Sequence, residues 1–153
     1  MTSYGETVVE LDMGLYPEPG APAPLLAQGD FDCFLVFHAV KEPGGDIATG
    51  VVEVVGCEVT RFGYPNDEAL PGHPLWRHGL DYYTISEVIN SSWIAQLSQQ
   101  NRVAFPDHTR PAKRHFIVTF HDSTFECIAD KLEARIDDGS RDAVFADVAN
   151  SIR

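Results

Sequence analysis

The densest collection of chemically useful side chains lies between Arg114 and Ile136, in the segment RHFIVTFHDSTFECIADKLEARI. A histidine beside a carboxylate is a common arrangement for general acid–base catalysis near neutral pH. We therefore take His121, His115 and Glu126 as the candidate catalytic residues. No GxSxG elbow surrounds Ser123, so the sequence disfavours an acyl-transfer triad built on that serine.

The alternation of apolar and polar residues predicts that this segment forms a β-hairpin. If Asp122-Ser123 is the turn, Phe120 lies opposite Phe125 and one face of the hairpin is fully apolar. Moving the pairing by one residue would bring carboxylates into that apolar layer, so we prefer the first register. The other face carries a ladder of His115, Ile117, Thr119, His121, Thr124, Glu126, Ile128 and Asp130. That face is either the solvent-exposed side of a sheet or the floor of a partly apolar cleft.

Two loops outside the hairpin contain side chains that could complete such a cleft. Residues 63–83 show no helical or strand period, and ordered loops of this length are often functional, although their aromatic residues could instead only seal an edge of the core. Residues 103–113 are basic and lead directly into the hairpin. The candidate ligand-binding residues are His73, Trp76, Tyr82, His108, Arg110, Arg114 and Thr119. The arginines would bind charge, the aromatic rings would stack and the histidines would form hydrogen bonds.

The six histidines raise the question of a metal ion, since zinc or iron binds two or three histidines together with a carboxylate. Neither HxH nor HExxH occurs, and His115 and His121 would stand about 20 Å apart on one strand. A metal site would have to combine one of them with a loop histidine such as His73 or His108. Short of that combination, we assign no metal ligand and predict no cofactor. The absence of a glycine-rich phosphate loop disfavours nucleotide cofactors.

Length and composition limit the class of protein. A chain of 153 residues, 44% hydrophobic, can build one core, and we predict a single domain over residues 1–153. Three cysteines without CxxC spacing, inside apolar runs, predict buried free thiols. The net charge of −12 repels nucleic acid and anionic lipid, and we find neither a leader nor a membrane-spanning run. We therefore expect a cytoplasmic protein that binds neither nucleic acid nor membrane.

Short β-branched and apolar runs predict three further strands, at residues 6–11, 31–40 and 49–62. The last of these contains Gly56, where we expect a bulge or bend. Residues 16–30 contain four prolines and should form a loop that pairs with no strand, because proline cannot donate to a ladder.

Two segments are predicted to form helices. Thr84 and Glu87 match a capping box that would begin a helix ending near Asn101, and Ser140 would cap a second helix over residues 141–152. The first helix has many uncharged polar residues, which favours contact with a partner or with a second subunit in a homodimer. Together the elements predict an α+β fold, with a single antiparallel sheet of about five strands and both helices packed on one face.

Three functions follow from these features. The leading hypothesis is a small binding protein whose histidine-containing pocket lies over the last hairpin and receives a small anionic ligand or an acidic segment of a protein partner. The second is a small enzyme, with or without a metal, that uses His121 and Glu126 for acid–base chemistry. The third is an accessory protein that acts through its acidic surface.

Overall fold

In the computed structural model, which describes residues 5–153, the chain forms two five-stranded antiparallel sheets, so the predicted single sheet is wrong. The strand order of the first sheet is β1 (Thr7–Glu10), β7 (Ile85–Ile89), β8 (Arg114–Thr119), β9 (Thr124–Ala129) and β6 (Val59–Gly63). The second sheet has the order β10 (Lys131–Asp137), β5 (Ile47–Val55), β4 (Cys33–Val40) and β2 (Tyr16–Pro17), and β3 (Leu25–Gln28) also pairs with β4.

Two bends carry the chain from one sheet to the other. The predicted bend at Gly56 is confirmed: it lies between β5 and β6 and has a φ of 66°. A side chain is disfavoured there, because the left-handed φ suits glycine and an added Cβ would press on the Asp130 side chain. Asp130 itself stands at the bend between β9 and β10, where Lys113 Nζ lies 2.8 Å from its carboxylate and donates to the Gly56 carbonyl. The single-sheet prediction failed because each bend divides one predicted strand between two sheets.

The hydrophobic core lies between the two sheets. The predicted apolar face of the hairpin is buried there, with Phe116, Val118, Phe120, Phe125 and Cys127 all at or near zero exposure. From the second sheet, Phe37 packs edge-on against Phe120, with 5.1 Å between the ring centroids. This division of the hairpin into a core face and a second face is therefore confirmed.

The predicted hairpin register is wrong by two residues. Phe125 lies opposite Val118 instead of Phe120, and the turn is His121-Asp122, closed by a hydrogen bond from the Phe120 N–H to the Ser123 carbonyl. A shift of two residues keeps every side chain on its face, since side chains alternate with a period of two. The faces were thus predicted correctly although the pairs were not.

The predicted helix beginning at Thr84 is also wrong, because residues 85–89 form β7. Thr84 does not cap a helix; its N–H donates to Thr119 Oγ1 and its carbonyl accepts from the Thr119 N–H. These bonds align Ile85 and the β-branched residues after it with β8. The strand ends at Ile89, Asn90 turns the chain with a φ of 58°, and α1 (Ser92–Ala104) then begins with Ser91 as its N-cap.

The two helices lie on opposite sides of the molecule, so their predicted packing on one face is wrong. The second helix, α2 (Arg141–Ser151), starts after Ser140 as predicted and packs Val144 and Val148 on the outer face of the second sheet. The first helix, α1, packs against β8 on the outer face of the first sheet. Each sheet has an outer face of its own to cover, which one layer of helices cannot do.

The proline-rich residues 16–30 contribute two strands, contrary to our prediction. β3 contains no proline. Pro17 lies in β2, an edge strand that pairs only with β4, so no second neighbouring strand needs the N–H that proline lacks. All three cysteines are free, with Cys57 only partly buried. Within residues 5–153, no helix is long and apolar enough to cross a bilayer.

Candidate functional site

The second face of the hairpin is covered, so its interpretation as a solvent-exposed surface is wrong. The side chains of β8 and β9 on this face, from His115 to Ile128, are all less than a tenth exposed. Loop residues Leu70, Leu75 and Leu80 pack over Ile117, and α1 covers the neighbouring part of the face. The loop of residues 63–83 is thus a lid on this face, as the cleft hypothesis requires.

A buried carboxylate between two imidazoles forms the centre of the covered face. Glu126 accepts a hydrogen bond on each oxygen, from His73 Nε2 at 3.2 Å and from His115 Nε2 at 2.8 Å. The Leu75 N–H donates to His73 Nδ1 at 3.0 Å, so His73 carries its proton on Nε2, where it faces Glu126. The lid is therefore bonded to the hairpin by a charge-assisted hydrogen bond.

A serine extends this network on the far side of His115. Because His115 Nε2 donates to Glu126, its Nδ1 has a free lone pair, and Ser91 Oγ lies 2.7 Å from that nitrogen. The same oxygen accepts the Ile94 N–H at 3.1 Å as the N-cap of α1. Ser91 thus donates its proton to an imidazole that is in turn oriented by a carboxylate.

Two opposing effects determine the pKa of Glu126. Burial favours the neutral acid and would raise the pKa above its ordinary value of 4.5. The hydrogen bonds from His115 and His73, together with the positive charge of these rings once acid protonates them, outweigh burial and lower the pKa to about 2. Glu126 is consequently an anion at neutral pH and cannot act as a general acid there. It holds His115 in the tautomer that leaves Nδ1 free.

A cleft of about 250 Å³ opens beside the network. Its lining includes Arg61, His73, Trp93, Gln96, His115 and Glu126. The guanidinium of Arg61 lies over the Trp93 ring, with Cζ 3.9 Å from the centroid, and Trp93 meets the His115 ring edge-on. Within residues 5–153, the Arg61 side chain forms no ion pair or hydrogen bond, which leaves its donors available to a ligand.

Three of the ten predicted site residues, His73, His115 and Glu126, meet in this network. His121 is not with them: it sits in the turn, is two-fifths exposed and bonds Asp122, which raises its pKa. The structure therefore does not bring His121 and Glu126 together as an acid–base pair. Thr119 donates to a backbone carbonyl, and Trp76 packs edge-on against Tyr82 in the lid.

The predicted residues His108 and Arg110 of the basic segment, and Arg114 just after it, lie outside the cleft. Arg110 is paired with Glu58, Arg114 makes two hydrogen bonds to Glu87, and His108 is exposed beside Phe105. Both arginines already have carboxylate partners, so neither brings a free charge to the site. The face of the hairpin where we expected the basic loop is covered by the lid and α1.

Sequence reasoning missed Ser91, Arg61 and Trp93. We placed Ser91 and Trp93 inside a helix that began at Thr84, so the cap and its partner went unrecognised. Arg61 was treated as part of one long strand, whereas β6 places it directly opposite Glu126. A signal for Ser91 was available, because Asn-Ser after a β-branched run is typical of a strand end followed by an N-cap.

Two further searches bear on the site. Within residues 5–153, no group of three or more histidine, cysteine, aspartate or glutamate residues is arranged to hold a metal ion. Comparison with models of protein families, with curated proteins and with solved structures finds no match for this chain. The function therefore has to be inferred from the geometry of the site itself.

Proposed function

We propose that this protein binds a small anionic ligand in the 250 Å³ cleft between the lid, α1 and β6, with Arg61 as its charged anchor. The single observation that carries the proposal is the state of Arg61. Its guanidinium rests on Trp93 at the edge of the cleft and, among the described residues, has no carboxylate partner. Stacking holds the planar fork in one orientation, which suits bidentate binding of a carboxylate or phosphate.

The rest of the cleft is consistent with an anion at that position. Glu126 is the nearest buried negative charge, and its two oxygens are already occupied by His73 and His115. Glu6 is bound to the N-terminus of α1 through the Ser92 backbone and hydroxyl. Both carboxylates are thus engaged by donors other than Arg61, and Arg61 is left as a cation of the cleft without a partner among the described residues.

The volume of the cleft limits the size of the ligand. At about 250 Å³ it is below the range of about 300–1,000 Å³ that is usual for drug-sized ligands. A segment of a folded protein partner would not fit inside it. We therefore favour a small carboxylate or phosphate-bearing molecule over the acidic partner segment.

Tryptophan fluorescence tests this proposal, because Trp93 lies against the anchor. With Trp76→Phe to remove the second indole, the protein is titrated with acetate, succinate and inorganic phosphate, and at least one should give a saturable change. Arg61→Gln should weaken that binding by about tenfold to a hundredfold, the effect of losing one charge-assisted pair.

Arg77 provides the matched control. It is an exposed arginine of the lid outside the cleft, so Arg77→Gln should leave the affinity unchanged. The proposal fails if no anion produces saturation, or if Arg61→Gln and Arg77→Gln bind the anion equally well.

A further inference from the structure

We propose that Ser91 is a nucleophile and that the protein hydrolyses small carboxylic esters at the groove beside it. Ser91 Oγ, the His115 ring and the Glu126 carboxylate form one hydrogen-bonded line, with 2.7 Å from Oγ to Nδ1 and 2.8 Å from Nε2 to Oε1. A nucleophile bonded to a base, with that base oriented by a third group, is the arrangement that activates serine in acyl transfer. The inference is independent of the ligand proposed for the cleft at Arg61.

Helix capping does not explain this arrangement. A capping serine needs only to accept a backbone N–H, as Ser140 does from Ala143 at the start of α2. Ser91 makes the equivalent bond to Ile94 and, in addition, directs its hydroxyl proton to a buried imidazole. The second bond is the one that a hydrolytic site requires and a cap does not.

The backbone around Ser91 suits a nucleophile. The residue stands between the end of β7 and the start of α1, after Asn90 with its left-handed φ of 58°. The negative charge that develops on the substrate oxygen would form near the N-terminus of α1, where the helix dipole stabilises an anion. The Ser92 and Ile94 N–H groups already donate to Glu6 and to Ser91 Oγ, so among the described residues the Trp93 N–H is the first-turn donor left for that charge.

A groove of about 350 Å³ is lined in part by Ser91. Ile89, Ile94 and Ala95 line it together with Lys113 and Arg114. Both cations are bound to carboxylates, Lys113 to Asp130 and Arg114 to Glu87. The groove thus offers apolar contact to an acyl chain and no free charge, which favours a short uncharged acyl group.

The chemistry balances with water as the second reactant. Ser91 Oγ attacks the ester carbonyl as its proton passes to His115 Nδ1, and the tetrahedral intermediate collapses when the alcohol leaves with that proton. A water molecule then attacks the acyl-serine, giving its proton to the same nitrogen, and the acid leaves as Ser91 recovers its hydrogen. Glu126 touches no reacting atom; it is a positioning residue that holds the tautomer of His115.

A fluorophosphonate probe tests the nucleophile directly on the full-length protein. The expected result is one covalent adduct by intact mass, mapped to Ser91 by peptide mass spectrometry. The decisive variant is Ser91→Asn, since asparagine caps a helix as well as serine does but has no hydroxyl. It should remain folded and lose the adduct, whereas Ser140→Asn, the matched change at the start of α2, should label like the unmodified protein.

Hydrolysis of p-nitrophenyl acetate gives the second readout. Ser91→Asn should lower kcat by about a hundredfold or more, and Glu126→Gln should lower kcat with little change in KM because it acts through the base. Exposed histidines also cleave this ester slowly, and the Ser91→Asn protein measures that background. The proposal is overturned if the native protein forms no adduct at Ser91, or if Ser91→Asn hydrolyses the ester at the unmodified rate. Either result leaves the fluorescence test of Arg61 unaffected.

Discussion

The two helices begin alike and are held to the molecule by different means. Each has a serine N-cap that accepts a backbone N–H, at 3.1 Å for Ser91 and 3.2 Å for Ser140. Beyond the cap, α2 is anchored by Val144 and Val148 on valines of the second sheet. In α1, the buried residue is Trp93, and its ring contacts His115 and the guanidinium of Arg61.

The difference shows that this protein did not need a polar network to attach a helix. Valine packing is sufficient for α2, and it carries no cost for removing charged groups from water. On the α1 side, removing the Glu126 carboxylate from water costs free energy, and hydrogen bonds from two imidazoles offset that cost. Because α2 is attached without such a network, the buried polar groups on the α1 side are a reason to look for function there, and the α2 side is the internal control.

Removing the carboxylate at the centre of the network should have the largest effect. Glu126→Leu leaves two buried N–H donors, those of His73 and His115, without an acceptor, and each such group costs about 1–3 kcal/mol. We expect the free energy of unfolding to fall by about 4 kcal/mol in urea denaturation. Glu133→Leu removes an exposed carboxylate from β10 and should change stability little; equal losses in the two variants would show that the network contributes nothing special.

Acid should affect the α1 side selectively. The pKa of Glu126 is about 2 in the folded protein and ordinarily 4.5, so the folded state binds fewer protons than the unfolded chain between these values. The stabilisation is complete above pH 4.5 and is lost as the pH falls towards 2, a change of about 3 kcal/mol. The free energy of unfolding, measured from pH 5 to pH 2, should show this loss in addition to the losses that other acidic groups cause.

Glu126→Gln should remove this part of the acid sensitivity, because the amide does not titrate. Val148→Ala, on the α2 side, should lower stability by about 1.5 kcal/mol at every pH and leave the slope intact. If Glu126→Gln and the unmodified protein lose stability in parallel from pH 5 to pH 2, the lowered pKa assigned to Glu126 is wrong.

The two N-cap serines should differ in the stability that each contributes, by less than the effects predicted for Glu126. Ser140→Ala loses one capping bond, which costs about 1 kcal/mol. Ser91→Ala loses the same bond and also the donor to buried His115 Nδ1, so we expect about 2 kcal/mol. Denaturation of both variants at pH 7 measures the difference; equal losses would mean that the Ser91–His115 bond adds no stability.

Local patterns were sufficient to predict several parts of the fold. The two faces of the hairpin, the bend at Gly56 and the cap at Ser140 were predicted from alternation, from a glycine in a β-branched run and from a serine before an amphipathic segment. The capping-box match at Thr84 failed because its backbone pairs with Thr119, a partner 35 residues away that outweighs a local helix signal.

The sequence by itself determined which side chains share a face of the last hairpin, because the two-residue period of a strand is a property of the local chain. Only the tertiary structure decided that His115 and Glu126 are buried, and what they meet. His73 reaches Glu126 across 53 residues and Ser91 reaches His115 across 24. Such contacts depend on how the bends at Gly56 and Asp130 direct the strands and how the lid closes over them, and no period along the chain encodes that.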